Sequence, residues 1–444
     1  MSLQQIIAII IFLCTMGAII TGKVHNTVAS LTGAACLVLT HTLSIEDCID
    51  AVDVETICIL VGMMLLVAVI KNSGIFEYIA IKAAKIAKGR PWPIMVIFIL
   101  ITAVCSGMLD NVTTVLLVGP MTLAITNILK VDPVPYIITQ IMASNIGGTA
   151  TLIGDPPNIM IGSAAKLSFV DFILNTGVAT VFVIIVGLIC MYFIYGRKLF
   201  VTDESIAKVM QLDENKAIKD RKLMHESVIV IILVALCFIF HDQLGVQSCT
   251  VAIAAACIML LIGGQEPEEI IADVEWPTIL FFIGLFIVVG GMKKVGVITM
   301  LANGLISITH GNMVVTMMVI LWVSAIVSSF LDNIPFVATL IPMILTMQSE
   351  GMDVAPIWWA LSLGACLGGN GTLIGASANV VLSGISKNNG HPITFGQYFK
   401  IGFPMMILSI TVYDMAPNST PRMRPLPPLM AMPPSTTAAM AYIS

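Results

Sequence analysis

Long apolar stretches separated by short polar breaks dominate the chain. A helix crosses the hydrocarbon core of a bilayer with about 20 predominantly apolar residues. Seven stretches approach that length: residues 4–22, 27–41, 55–71, 169–195, 225–241, 246–263 and 275–292. The first of them has neither a basic segment before it nor a small-residue cleavage site, so we expect a retained helix and not a signal peptide. The pattern predicts an all-α polytopic membrane protein.

Four further apolar regions are broken near their centres. Residues 91–129 and 311–348 each contain an Asp-Asn pair, and residues 134–164 and 354–386 each contain a glycine-rich string. Backbone without helical hydrogen bonds is tolerated at membrane depth only where protein or water covers it. The breaks therefore predict two re-entrant helical hairpins and two unwound transmembrane helices.

These breaks align with one another as an internal repeat. Adding 222 to Asp110 and Asn111 gives Asp332 and Asn333. With an offset of 221, the string GGTATLIGDPPN, which starts at Gly147, lies over GGNGTLIGASAN. The chain therefore divides into a first five-helix repeat at 1–195, a loop at 196–224 and a second five-helix repeat at 225–413.

Lysine and arginine residues set the expected orientation of the two repeats. The segment KAAKIAKGR at 82–90 and the loop 196–224 are basic, so we expect both on the cytoplasmic side. The repeat counterpart of 82–90, residues 304–312, contains neither Lys nor Arg and should face outside. The second repeat is then inverted relative to the first. If 91–129 enters and leaves the membrane on one side, the number of membrane crossings is compatible with both basic segments being cytoplasmic. The N-terminus then lies outside.

The overall composition agrees with a membrane protein, since 58% of the residues are hydrophobic and only 11% are charged. Soluble domains carry about 25% charged residues. The ten cysteines lie mostly inside apolar runs without CxxC spacing, which favours buried thiols. Nothing in the sequence indicates a nucleic-acid-binding surface.

The C-terminal segment departs from the pattern. Residues 414–444 are rich in Pro, Met and Ser/Thr, which predicts disorder. The apolar run 401–413 before them would form a helix of only about 20 Å at about 1.5 Å per residue. We therefore expect a short last helix and an anomalous tail.

The broken regions carry the candidate chemistry. Half-helix ends at breaks in inverted repeats converge near the midplane and are the best sequence pointer to a transport site. Asp110 and Asp332 could each cap the second arm of a hairpin, but Asn or Ser would cap equally well. A carboxylate near the bilayer centre costs about 2.5–3.5 kcal/mol on insertion scales. Proton or cation binding is therefore a second hypothesis for both residues.

Other polar residues extend this candidate site. Asp155 has Ala376 as its repeat partner, so it is either an asymmetric coupling site or the cap of the helix that begins with two prolines. Asn145 and Thr149 are polar and placed to ligate. The candidate ion- or substrate-binding residues are Ser106, Asp110, Asn111, Asn145, Gly147, Thr149, Asp155, Asn158, Ser328, Asp332, Asn333, Gly368, Asn370 and Asn379.

The strings LDNVTTVLL and NIGGTATLIGDPPN resemble the ion transporter superfamily, in particular its branch of arsenite permeases, D-type Na⁺/H⁺ antiporters and P-protein permeases with a citrate-transporter-like domain. The resemblance covers residues 1–413. It implies a scaffold and a mobile transport subdomain, a homodimer and elevator-type alternating access. The sodium and substrate sites that it implies are Ser106, Asp110, Asn111 and Gly147 in the first repeat, with Ser328, Asp332, Asn333 and Gly368 in the second.

The sequence departs from the dicarboxylate carriers of this superfamily, which have Ser-Asn-Thr at the hairpin tips. Here both tips begin with Asp. Two fixed negative charges would repel a citrate or succinate dianion, so anion or dicarboxylate symport is the least favoured of the transport hypotheses.

The sequence therefore favours a secondary active transporter of inorganic ions in the plasma (inner) membrane, with cation/proton (Na⁺/H⁺) antiport first. Arsenite or antimonite efflux is the alternative, and a channel is disfavoured because the hairpin tips are dead ends. Na⁺ would bind at Asp110, Asn111, Asp332 and Asn333, and Na⁺ or H⁺ would be the coupling ion without another cofactor. We expect no enzyme, since neither an HExxH sequence nor a Ser–His pair within helices is present. The expected partners are the small inorganic ion, the lipid bilayer and a second copy of the chain.

Overall fold

The computed structural model describes residues 2–414, and these residues form helices joined by short connections, with no strand among them. Within this part of the chain, eight helices are long and apolar enough to cross a membrane. The structure therefore has the all-helical, multi-pass architecture that the sequence predicts.

The first half contains eleven α-helices, and a twelfth lies in the connecting segment. They are α1 (Leu3–Thr21), α2 (Asn26–Leu39), α3 (Ile45–Ala51), α4 (Val54–Lys71), α5 (Ile75–Ile86), α6 (Pro91–Met108), α7 (Asn111–Leu129), α8 (Val134–Thr149), α9 (Pro156–Ala165), α10 (Phe169–Phe172), α11 (Val178–Ile194) and α12 (Asp203–Met210). A π-helical turn at Ile173–Gly177 joins α10 to α11.

The second half repeats this order. Its helices are α13 (Arg221–Leu244), α14 (Ser248–Ile262), α15 (Pro267–Ala272), α16 (Trp276–Lys294), α17 (Val297–Ile308), α18 (Met313–Phe330), α19 (Asn333–Ser349), α20 (Ala355–Gly368), α21 (Ser377–Asn388) and α22 (Phe395–Asp414). The short helices α3, α5, α15 and α17 are not among the predicted apolar stretches, because they are too short or too polar to resemble a membrane span.

The broken regions have the predicted helix–break–helix form. Helices α6 and α7 form one hairpin and α18 and α19 form the other, each with its turn at an Asp residue. Asp110 begins α7 as its N-cap by accepting a hydrogen bond from the Thr113 amide at 2.8 Å, and Asp332 begins α19 by accepting one from the Ile334 amide at 3.1 Å. Helices α8 and α9 are separated at residues 150–155, and α20 and α21 at 369–376.

The two halves are interlocked through glycines. Helix α4 of the first half packs on α14 of the second, and α2 packs on α16. A Cβ atom at Gly62 would lie 2.7 Å from the carbonyl carbon of Ala252, and one at Gly284 would lie 2.7 Å from the carbonyl carbon of Ser30. Both residues of the second contact lie 222 positions from those of the first, so the cross-packing repeats with the duplication.

Side-chain contacts tie the connecting segments together at the helix ends. The first end is joined by three contacts: Lys71–Asp273, Lys85–Glu214 and Asn72–Gln265. Helix α16 starts at this end and runs about 28 Å for its 19 residues. Its last residue, Lys294, pairs with Asp47 at the other end. Segment 82–90 therefore contacts the loop 196–224 through Lys85 and Glu214.

The prediction for the end of the chain needs one correction. Helix α22 has 20 residues and starts at Phe395, six residues before the apolar run 401–413. The prediction of a short last helix was wrong because polar residues in the first turns, Gln397 and Lys400 among them, hide their helical continuity with the apolar run. Disorder is predicted for residues 414–444; Asp414 is the last residue of α22, and residues 415–444 lie outside the described residues.

Candidate ion-binding site at the hairpin tips

Two glycines bring each hairpin against the neighbouring interrupted helix. A Cβ atom at Gly147 of α8 would lie 2.2 Å from the Ala103 carbonyl oxygen of α6. The equivalent atom at Gly368 of α20 would lie 2.7 Å from the Ala325 carbonyl oxygen of α18. Gly147 and Gly368 therefore act as close-packing positions that hold each tip beside a helix break.

Hydroxyl groups fasten the same contacts. Ser106 donates to the Ser144 carbonyl at 2.6 Å, and Ser328 donates to the Ala365 carbonyl at 2.6 Å. Both serines are fully buried. Their hydroxyl protons are therefore used between helices, which leaves only oxygen lone pairs for a cation.

Asn158 and Asn379 hold the two breaks in shape. The Asn158 Nδ2 group lies 2.9 Å from the Thr151 carbonyl, and the Asn379 Nδ2 group donates to the Thr372 carbonyl at 2.8 Å. Further contacts run to the carbonyls of Gly148, Thr149 and Gly369. Their amide N–H groups therefore satisfy backbone carbonyls that the helix breaks leave unpaired.

Amide side chains join the two halves at the centre. Asn145 Nδ2 donates to Asn370 Oδ1 at 3.0 Å and to Asn379 Oδ1 at 2.8 Å, while Asn111 Nδ2 donates to Asn145 Oδ1 at 3.4 Å. A second contact between the halves is made by the Ser362 hydroxyl, which donates to Asn158 Oδ1 at 2.6 Å. All of these side chains are buried. The predicted amides therefore form a network that crosses the repeat boundary.

Asp155 also belongs to this crossing. It is fully buried, and both of its carboxylate oxygens lie 3.3 Å from the Asn333 Nδ2 group of the second hairpin. Its side chain makes no capping hydrogen bond to α9, whose first two residues are prolines without N–H groups. The structure therefore places Asp155 against the opposite hairpin and gives no side-chain cap to α9.

The two tip carboxylates differ in exposure and in partners. Asp110 is only 4% exposed, and its hydrogen-bond donors belong to the start of its own helix, Val112 and Thr113. Asp332 is partly exposed and receives a second bond, from the Ser377 hydroxyl at 2.7 Å. It lines a cavity of about 330 Å³ whose walls include Gly22 and Asn26.

The remaining predicted residues have partly unused polar atoms. Thr149 donates its hydroxyl proton to the Asn145 carbonyl of its own helix at 2.7 Å. Among the described residues, no hydrogen-bond partner is found for Asn111 Oδ1 or Asn370 Nδ2, although both side chains are buried. A buried oxygen without a partner indicates a place where an ion or a water molecule binds.

Residues 16–364 match the family model described as citrate transporter. The chain belongs to the citrate transporter family. An uncharacterized transporter of Mycobacterium tuberculosis is 41% identical over 417 residues, which cover 92% of this chain and 97% of that protein. The 46 kDa membrane protein of Mycobacterium leprae is 39% identical, with 92% and 97% covered. The human P protein is 32% identical over 92% of this chain, which spans 59% of its length.

Among solved structures, the YdaH transporter of Alcanivorax borkumensis is similar, with a TM-score of 0.58 at 12% sequence identity over 92% of this chain and 96% of that one. A likeness at this identity concerns the fold. Family and relatives together make this chain a multi-pass membrane transporter and not an enzyme.

Within this member of the citrate transporter family, sequence reasoning missed three residues at the site: Ser362, Ser377 and Thr114. Ser377 lies at the repeat position of Pro156, and Thr114 lies at that of Phe336. Ser362 lies at the repeat position of Ile141. Each of the three therefore stands where the other half has a side chain without a hydrogen-bonding group, so the internal repeat does not single it out.

Proposed function

We propose that this protein is a secondary active transporter that exchanges a cation, Na⁺, for protons. The observation that carries the proposal is the placement of three carboxylates: Asp110 and Asp332 each begin the second helix of a hairpin, and Asp155 in the first helix break lies against Asn333 of the second hairpin. A buried carboxylate that alternates between Na⁺ and H⁺ stays neutralised in both states, which offsets the cost of its burial. Protons then bind to the coupled carboxylates as a set.

The family name alone does not decide the substrate. Fixed carboxylates at both hairpin tips oppose the binding of a citrate dianion or trianion, since like charges at short range repel strongly in a low-dielectric site. Inorganic cations lack this penalty. Dicarboxylate symport is accordingly the weaker hypothesis for this chain.

The arrangement in the membrane is part of the proposal. We place the basic segment 196–224 in the cytoplasm and the N-terminus outside the plasma membrane, because Lys and Arg concentrate on the cytoplasmic side. The second half is then inverted relative to the first. A homodimer with elevator-type movement of the hairpins and interrupted helices against the other helices completes the proposal.

The test is Na⁺-driven proton flux in proteoliposomes that contain a pH-sensitive dye. We expect an imposed Na⁺ gradient to move protons in the wild-type protein and the flux to fall at least tenfold in Asp110→Asn, because the amide cannot carry the exchanged charge. Asp50→Asn, at an exposed position away from the tips, is the matched control. Wild-type flux in Asp110→Asn would exclude Asp110 from the exchange, and citrate-driven flux would favour symport.

A second candidate function, efflux of arsenite or antimonite, is supported by the buried thiol of Cys366. Its Sγ atom lies 3.4 Å from Asn158 Oδ1, beside the crossing of the two halves. A thiol is a suitable contact for a thiophilic, uncharged substrate, which the tip carboxylates do not repel. Resistance of an arsenic-sensitive host that expresses the protein distinguishes this function from antiport.

A further inference from the structure

The two hairpin tips have the same Asp-Asn pair, but their oxygen atoms are engaged differently. At the second tip, both carboxylate oxygens of Asp332 accept hydrogen bonds, one from the Ile334 amide and one from the Ser377 hydroxyl. Asn333 is directed to Asp155 of the other half. The protein itself therefore supplies donors to the second tip.

At the first tip, the donors to the carboxylate come from its own turn and not from the other helix break. The repeat position of Ser377 is Pro156, which has no hydroxyl, and Asp110 is held by Val112 and Thr113 of α7, with the Thr113 amide at 2.8 Å. Two neighbouring oxygens, Asn111 Oδ1 and Thr114 Oγ1, find no hydrogen-bond partner among residues 2–414. Asn111 is 3% exposed and Thr114 is fully buried.

These groups share one turn and one face of a helix. Asp110 is the N-cap of α7, Asn111 is its first residue, and Thr114 follows three residues later. Side chains three positions apart on a helix are neighbours. A carboxylate, an amide oxygen and a hydroxyl oxygen are ligands that hard cations prefer. Gln140 Oε1 is also unpartnered, but its amide bonds Thr122, about 12 Å further along α7 than Thr114.

The second tip lacks this set of ligands. The repeat position of Thr114 is Phe336, whose side chain has no oxygen. Asp332 opens on the cavity of about 330 Å³, whose walls are largely apolar side chains such as Ile19, Phe330 and Val380. A cavity of this volume is too large to surround a dehydrated ion closely, and its apolar walls offer no oxygen atoms to replace the water molecules that the ion would lose.

We propose that the protein holds a single cation, at the first hairpin tip, and that the Thr114 hydroxyl oxygen is a ligand together with the Asp110 carboxylate and the Asn111 amide oxygen. Asp332 and Asn333 then shape the second tip without binding the cation. This inference rests on the proposed exchange of a cation and reduces four candidate Na⁺ ligands, two at each tip, to the pair at the first tip plus Thr114.

The experiment measures the thermal unfolding midpoint of the purified full-length protein in detergent while Na⁺ replaces choline at constant ionic strength. A cation that binds only the folded state raises the midpoint, and the stabilisation grows as RT ln(1 + c/Kd), where c is the Na⁺ concentration. We expect Thr114→Val to require about tenfold more Na⁺ for the same rise, since one ligand to a charge is lost. Thr114→Ser should restore the wild-type response, which separates ligand loss from poor folding.

One variant is the control, and another tests whether the second tip binds the cation. Thr126→Val removes a buried hydroxyl of the same helix that already donates to the Thr122 carbonyl at 2.7 Å, and it should leave the Na⁺ response unchanged. Asp332→Asn should also keep the response, even if it unfolds at a lower temperature. The inference is overturned if Thr114→Val binds Na⁺ as the wild type does, or if Asp332→Asn weakens binding as much as Asp110→Asn.

Proton flux measured on the same preparations separates this inference from the proposed function. If Na⁺ drives proton flux but Thr114→Val responds to Na⁺ as the wild type does, the antiport proposal holds and the single-site proposal fails. If Na⁺ stabilises the protein through Thr114 but no proton exchange is measured, the single-site proposal holds and the antiport proposal fails. Absence of any Na⁺ effect on the wild-type protein contradicts both.

Discussion

Substitution of Asn158 tests whether this residue binds an ion or stabilises the structure of the site. Its amide group faces the carbonyls of the first helix break, and its oxygen accepts from Ser362 of the second half. We predict that Asn158→Ala lowers stability, because these buried partners lose a hydrogen bond that water cannot easily replace.

The size of the effect follows from the contacts. An amide has two N–H groups, so two carbonyl bonds and one accepted bond are counted for Asn158. At about 1 kcal/mol for each net bond, the loss is about 3 kcal/mol, and buried groups left unpaired raise it toward about 5 kcal/mol. For a domain of 150–250 residues, about 1 kcal/mol shifts the melting temperature by about 2–4 °C. At that rate the fall is about 6–20 °C, and we expect the lower part of this range because the shift for each kcal/mol becomes smaller in a longer chain.

The assay is thermal unfolding of the purified protein at saturating and at zero Na⁺. Asn379→Ala, at the repeat position, should show a loss of similar size, and Asn389→Ala, whose exposed side chain donates only to the Ile385 carbonyl, should show almost none. A wild-type melting temperature for Asn158→Ala together with weaker Na⁺ binding would refute the structural role and make Asn158 a ligand.

Two further predictions concern the contacts outside the site. Gly62→Val should destabilise the protein by about 1–3 kcal/mol or more, because its Cβ would lie 2.7 Å from the backbone of Ala252. Gly17→Val is the control, since nothing lies within 4 Å of a Cβ atom there, and its free energy of unfolding should be nearly unchanged. Equal effects of the two substitutions would contradict the packing argument. The 2.6 Å hydrogen bond from Lys85 lowers the pKa of Glu214 from 4.5, so the pair stabilises the folded state above that pH and the contribution is lost as pH falls through the lowered pKa. The difference in melting temperature between wild type and Lys85→Ala should therefore be constant near neutral pH and shrink below pH 4.5, and a constant difference at every pH would refute the pairing.

Much of the fold could be predicted because the helical spans and their breaks follow from local chemistry. Proline, glycine and an Asp-Asn pair interrupt apolar runs at positions that the duplication repeats, so the ends of both hairpins are correct to within about two residues. The helices α5 and α17 were missed because 12 residues with polar positions do not resemble a membrane span. Each begins after a glycine with positive φ, Gly74 or Gly296, which is a weak signal of a turn.

The candidate site was predicted as a set of residues but not as a set of contacts. The sequence placed Asn145 and Asp155 in the same interrupted helix, yet each has a partner more than 170 positions away, Asn370 for Asn145 and Asn333 for Asp155. Such pairings depend on how the two halves cross, which no local pattern encodes. For the same reason, the sequence does not show that Asn158 bonds backbone carbonyls whereas Asn111 Oδ1 has no hydrogen-bond partner among the described residues.

The packing of α2 on α16 and of α4 on α14, across the two halves, has a consequence for biosynthesis. Helix α2 finds its close-packed partner, α16, only after residue 276 has been made, and α4 must wait for α14. A ribosome that has delivered the first repeat to the membrane has therefore produced inserted helices whose glycine faces are still uncovered. Tertiary folding must then follow insertion of the second repeat. If the chain were cut within 196–224, each fragment would depend on the other for a partner, and the two would assemble only when made together.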